Sequence, residues 1–192
     1  MADTLDRNKT ALVVIDIQKG IAGMARQLAP HSANEVVANV AKLVSKFREA
    51  RAPVFLVHVT SIDGKDTLSP IADQKMQWQG ERPADWADFM DEIKPVQGDI
   101  VITKRQWGAF HGTELDLQLR RRGIDTIVLC GISTNIGVET TAREAYQHGY
   151  NQVFAVDAMS ATTEEEHNAT LKFIFPRIGR LRTTEQIIGM LG

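Results

Sequence analysis

The chain has 192 residues, 43% of them hydrophobic and 24% charged, with a net charge of −2 at neutral pH. That length suits one well-buried core, so residues 1–192 are read as a single domain. No stretch is basic enough to favour nucleic acid, and no apolar run is long enough to span a bilayer. The single cysteine, Cys130, excludes an internal disulfide framework. Together with a polar N-terminus that lacks the apolar segment of a signal peptide, it fits a cytoplasmic protein.

Strand-length apolar runs alternate with helical patterns along the chain, the signature of βαβ units around a parallel sheet. The first strand, residues 11–15 (Ala-Leu-Val-Val-Ile), ends at Asp16. Residues 35–51 place Val36, Val40, Leu43, Val44 and Phe47 at helical spacing, and Pro53 punctuates the start of a strand over 54–59. Residues 60–98, broken by Pro70, Gly80, Pro83 and Pro95, form a long excursion with a short helix expected near 85–93. Order resumes with a strand over 99–103, a helix over 113–122, a strand over 126–130 and a helix over 135–148. The last units are a strand over 152–156, a helix over 164–175, a short strand near 179–181 and a final helix from Thr184. The basic run Arg120-Arg121-Arg122 falls in the last turn of a helix that Gly123 stops. Six strands with helices on both faces make a three-layer α/β/α, Rossmann-like fold with a mostly parallel sheet.

In open parallel sheets ligands bind beyond the carboxyl ends of the strands, where the strand order reverses. Asp16 closes the first strand, Lys104 follows Ile100-Val101-Ile102-Thr103, and the turn Gly131-Ile132-Ser133-Thr134-Asn135-Ile136-Gly137-Val138 follows Ile127-Val128-Leu129-Cys130. Position alone fits Asp16 and Lys104 equally well as an ion pair pinning two strand ends or as a catalytic pair. Thr134 or Asn135 is a suitable helix N-cap, which would aim the amides of Ile136, Gly137 and Val138 at the same crevice. A glycine in a first helical turn costs about 1 kcal/mol relative to alanine. Close approach of a ligand, or of a neighbouring strand, would account for Gly137. Trp107 and Phe110 line the crevice if their loop folds over it; otherwise they pack.

Three motifs carry a resemblance that covers nearly the whole chain: Val-Val-Ile-Asp-Ile-Gln around Asp16, Lys-Arg-Gln-Trp-Gly-Ala-Phe from Lys104, and the Gly131–Val138 turn. In these the chain resembles the isochorismatase-like hydrolases, which include nicotinamidases and carbamoylsarcosine amidases. The family's amidases use an Asp, Lys, Cys triad, and the resemblance maps it onto Asp16, Lys104 and position 137. Here that position is glycine, as in isochorismatases, so the departure bears on amidase chemistry and not on the family. The resemblance also implies a non-proline cis peptide at Ile132-Ser133 and a homo-oligomer, a dimer or tetramer, for which Trp78 and Trp86 offer apolar surface.

Cys130 lies inside an apolar strand and is read as a buried core thiol. The nicotinamidase zinc ligands have no counterpart at residues 60–64, where only Asp63 is of a suitable type. His58 is read as packed or hydrogen-bonded, the remaining histidines as scattered, and His167 as part of a solvated helix face, so no metal or other cofactor is expected. The resulting expectation is a hydrolase acting on a small carboxylated substrate by acid catalysis from Asp16, with Lys104 beside it. Asn135, Ile136, Gly137, Trp107 and Phe110 would contact the substrate, and vinyl ether cleavage of the isochorismate type is favoured over amide hydrolysis. The alternatives are a degenerate enzyme or small-molecule binding protein that has lost its nucleophile, and an amide hydrolase that uses water.

Overall fold

Strand β1 (Thr10–Ile15) is buried at every residue, because it lies at the centre of a six-stranded sheet covered on both faces. The computed structural model describes residues 4–24, 27–74 and 82–191. The other strands are β2 (Val54–Val59), β3 (Ile100–Lys104), β4 (Thr126–Ile132), β5 (Asn151–Ser160) and β6 (Arg180–Arg182). All pairings are parallel, in the order β3-β2-β1-β4-β5-β6. The order therefore reverses between β1 and β4, and this opens the crevice that such sheets use for ligands.

Strand alternation divides the core in two. Leu12 and Val14 face one side, where α1 (Ala33–Glu49) brings Val36, Val40, Leu43 and Phe47, and α6 (Thr184–Met190) brings Ile187. Ala11, Val13 and Ile15 face the other, against Leu115 and Leu119 of α2 (Leu115–Arg121) and Ala142 and Ala145 of α3 (Glu139–Gln147). Helix α1 begins at a capping box, in which the Ser32 side chain accepts from the Glu35 amide and the Glu35 carboxylate accepts from the Ser32 amide. Arg120 and Arg121 occupy the last turn of α2, and Gly123 follows with φ +67°.

Several boundaries differ from the sequence expectation, each for a physical reason. The helix expected over 85–93 is only a 3-10 turn, Asp91–Ile93. The carbonyls of Trp86 and Asp88 instead accept from the amides of Gly20 and Lys19, while the Met90 amide donates to the Ile17 carbonyl, so this stretch pairs with the chain leaving β1. The helix expected over 135–148 is a π turn, Thr134–Val138, followed by α3. The helix expected over 164–175 ends at Phe173 as α4 (Glu164–Phe173), since Pro176 cannot continue it; the short α5 (Phe175–Ile178) starts anew. Strand β5 runs to Ser160 because its register against β4 shifts between Leu129 and Gly131, bulging out residues near Asp157.

Candidate active site

Where β1 ends, Asp16 adopts φ +55°, a left-handed conformation that aspartate tolerates better than most residues, while its amide still donates to the Val57 carbonyl at 2.9 Å. Lys104 is the last residue of β3, paired with Val59 of β2. Because β2 separates β1 from β3, the lysine reaches over the end of β2 to place Nζ 2.7 Å from Asp16 Oδ2, and it also donates to the Gln106 carbonyl at 3.1 Å. The pair is enclosed, with Asp16 5% and Lys104 2% exposed. Burial pushes the Asp16 carboxyl above the ordinary range, against the opposing pull of the Lys104 ammonium. Asp16 Oδ1 is buried and has no hydrogen-bond partner among the described residues.

The turn after β4 brings Gly137 to this carboxylate. Gly131 has φ +125° and packs so closely on β1 that a Cβ there would lie 2.0 Å from the Ile15 carbonyl oxygen. The peptide Ile132-Ser133 is cis. A Cβ on Gly137 would lie 3.2 Å from Asp16 Oδ2 and 3.1 Å from Ile15 Cγ2, so the missing side chain points at the acid. The N-cap of the turn is Ser133, with extended backbone, and not Thr134 or Asn135. Its carbonyl accepts from the Ile136 and Val138 amides at 3.1 and 3.2 Å, which takes up two of the three amides expected to face the crevice. Ile136 and Gly137 line the crevice; Asn135 does not, and its buried Oδ1 has no partner among the described residues.

Lys104, Asp16 and Gly137 open into one cavity of about 460 Å³. Trp107 lines it and is half exposed, with its carbonyl 3.5 Å from the Cβ position of Gly137. Its loop is tied to α3, since the Ala109 amide donates to Thr141 Oγ1 and the Phe110 amide to the Glu144 carboxylate. This places Phe110 in the core, stacked on His148, tilted against Tyr150 and away from the cavity lining. Trp86 forms another wall over Gly20, where any Cβ would meet the indole at 2.1 Å. Its ring thus lines the site, while Trp78 lies outside the described residues.

Three lining or supporting groups had not been singled out from the sequence. Buried Gln18 accepts from the Val59 amide at 2.9 Å and donates to the carbonyls of Val59 and Trp86 at 3.1 Å, joining β2 to the Trp86 wall. Its place in the Val-Val-Ile-Asp-Ile-Gln motif was the one available signal. Arg82 and Arg105 also line the cavity, so Asp16 is the only acid against three cationic residues in the described wall.

Cys130 sits on the α1 face of the sheet, fully buried, and burial pushes its thiol well above the ordinary range. His58 places its ring nitrogens 2.8 Å from the Ala87 carbonyl and 2.8 Å from Thr103 Oγ1, which engages both. His167 departs from the expectation of a solvated face: it is buried at 2% exposure, with Nδ1 2.8 Å from Thr134 Oγ1. Burial, followed by the nearby His31, lowers its pKa to about 4.

The Isochorismatase domain profile matches residues 10–186. The chain is 57% identical to the isochorismatase family protein YwoC of Bacillus subtilis over 185 residues, covering 96% of this chain and 95% of that one. It is 50% identical to the isochorismatase family protein YecD of Escherichia coli O157:H7, with 97% and 98% covered. The solved structure of an isochorismatase family protein from Burkholderia thailandensis superimposes with a TM-score of 0.91 at 41% identity, covering 98% of this chain and 97% of that one.

Proposed function

Because the chain belongs to the isochorismatase family of hydrolases, we propose that it hydrolyses a small carboxylated substrate by acid catalysis from Asp16, without a covalent intermediate, and that the bond cleaved is a vinyl ether. The observation that carries this reading is Gly137: the position that points at Asp16 Oδ2 from 3.2 Å holds no nucleophile. Cys130 cannot replace it from the far face of the sheet. Amide hydrolysis would forgo the covalent step that makes it fast, whereas an enol ether needs a proton and a water.

Lys104 occupies Asp16 Oδ2, so the transferable proton belongs on Oδ1, the oxygen with no protein partner. Burial favours that protonated form. Oδ1 delivers the proton to the methylene carbon of the enol ether, whose C=C electron pair forms the new C–H bond and leaves an oxocarbenium ion. Water adds to the ether-bearing carbon of that ion and returns a proton to the Asp16 carboxylate. The hemiketal then breaks its C–O bond, its hydroxyl proton passing to the departing oxygen, to give a ketone and an alcohol. Of the three turn amides, that of Gly137 remains to meet a substrate oxygen.

The test is turnover of isochorismate in D₂O beside a panel of small primary amides. One deuterium in the methyl group of the released pyruvate is expected. Ammonia release from an amide, with no vinyl ether cleavage, would overturn the reading.

A further inference from the structure

We propose that Arg105 is the carboxylate-recognition residue of this cavity: its guanidinium takes the anionic group of the ligand and so sets which end of the molecule faces Asp16. The inference rests on the cavity being the substrate site. Three cationic residues line it, and two are committed elsewhere. Lys104 is held by Asp16 and the Gln106 carbonyl and is 2% exposed. The Arg82 guanidinium lies 4.6 Å over the Trp86 ring.

Arg105 is built differently. Its Nε donates to Asp66 Oδ2 at 2.6 Å and its Nη1 to the Lys104 carbonyl at 3.4 Å, while Nη2 makes no hydrogen bond among the described residues. Asp66 is not part of the cavity lining, so the counter-charge stands behind the guanidinium and leaves the wall cationic. Asp66 is itself fixed, by the Ser61 hydroxyl and by the Ile62 amide at 3.1 and 3.2 Å. Those donors, led by Ser61, hold its carboxyl down at about 2, so it stays charged behind Arg105. A guanidinium held in this way loses little freedom when it binds, and its planar fork matches a carboxylate in two hydrogen bonds.

Benzoate and benzamide are a suitable probe pair, equal in shape and different in charge, titrated calorimetrically into the protein. The parent is expected to bind benzoate at least about tenfold more tightly than benzamide, the size of one charge-assisted hydrogen bond. In Arg105→Gln that ratio should fall to about twofold or less, with benzamide affinity unchanged. Arg105→Lys keeps the charge and the reach to Asp66 but loses the fork, so it should retain the preference with benzoate weakened about threefold or more. No benzoate preference in the parent, including no binding of either compound, overturns the proposal. So does a preference that survives in Arg105→Gln, or undiminished benzoate affinity in Arg105→Lys should the glutamine variant fail to fold. Since binding is read without turnover, failure of the vinyl ether reading would leave this result standing.

Discussion

At Asp16 two opposing effects meet in one carboxyl group, and burial outweighs the lysine 2.7 Å away. A general acid must carry its proton before reaction, so kcat/KM should fall about tenfold per pH unit once pH exceeds the raised Asp16 pKa. A pH–rate profile that rises through the same range would contradict the assigned role. Asp16→Asn should lower kcat by about 10²–10⁴-fold with little change in melting temperature, because the amide still accepts from Lys104. Gly137→Cys tests the neighbouring position: its Sγ would lie beside Asp16 and Lys104, so iodoacetamide should label one thiol per native chain, against none in the parent. The required Cβ contacts of 3.1–3.2 Å demand only small shifts of Ile15 and Asp16. Asp16 and Lys104 were legible in the sequence because each closes an apolar strand, where a charged residue is conspicuous, and Gly137 through the motif in which the resemblance lies. Arg105 and Gln18 were not, since their roles depend on partners 39 and 41 positions away. Phe110 shows the converse: adjacency to Trp107 in sequence says nothing about which of two rings turns inward.

Helices and strands with strong periodicity, such as β1 and α1, were readable to within a few residues, whereas the elements around the cavity were not. The stretch from Trp86 to Met90 looked helical locally, yet its carbonyls are claimed by the segment after β1, a long-range competition no local pattern records. The π turn Thr134–Val138 is similarly fixed from outside, by the Ser133 carbonyl that precedes it and by His167 of α4 against Thr134. His167 makes this arrangement sensitive to acid. Its pKa of about 4 lies below the ordinary histidine range, so the unfolded chain binds more protons than the folded one between about 6.5 and 4. Stability is therefore complete above about pH 6.5 and declines as pH falls toward 4, by at most about 2–3 kcal/mol from this group. Thermal unfolding of His167→Asn across that window should show a flatter pH dependence than the parent; an unchanged slope would remove His167 from the account.

For the molecule as a whole, the order β3-β2-β1-β4-β5-β6 is what brings strand ends 88 residues apart in sequence, Asp16 and Lys104, into contact. The alternation of strand and helix made that architecture readable, but not the apolar surface at the cavity wall, where Leu68 is 66% and Trp107 56% exposed. Light scattering at micromolar concentration should find a dimer or larger assembly that covers this rim; a monomer would leave it bare. Cys130 has a different consequence. Sealed at 0% exposure on a central strand, the single thiol is reachable only when the sheet itself parts. It acts as an internal clock of unfolding: the alkylation rate should follow global opening, rise steeply with urea, and leave the native enzyme untouched for as long as the sheet holds.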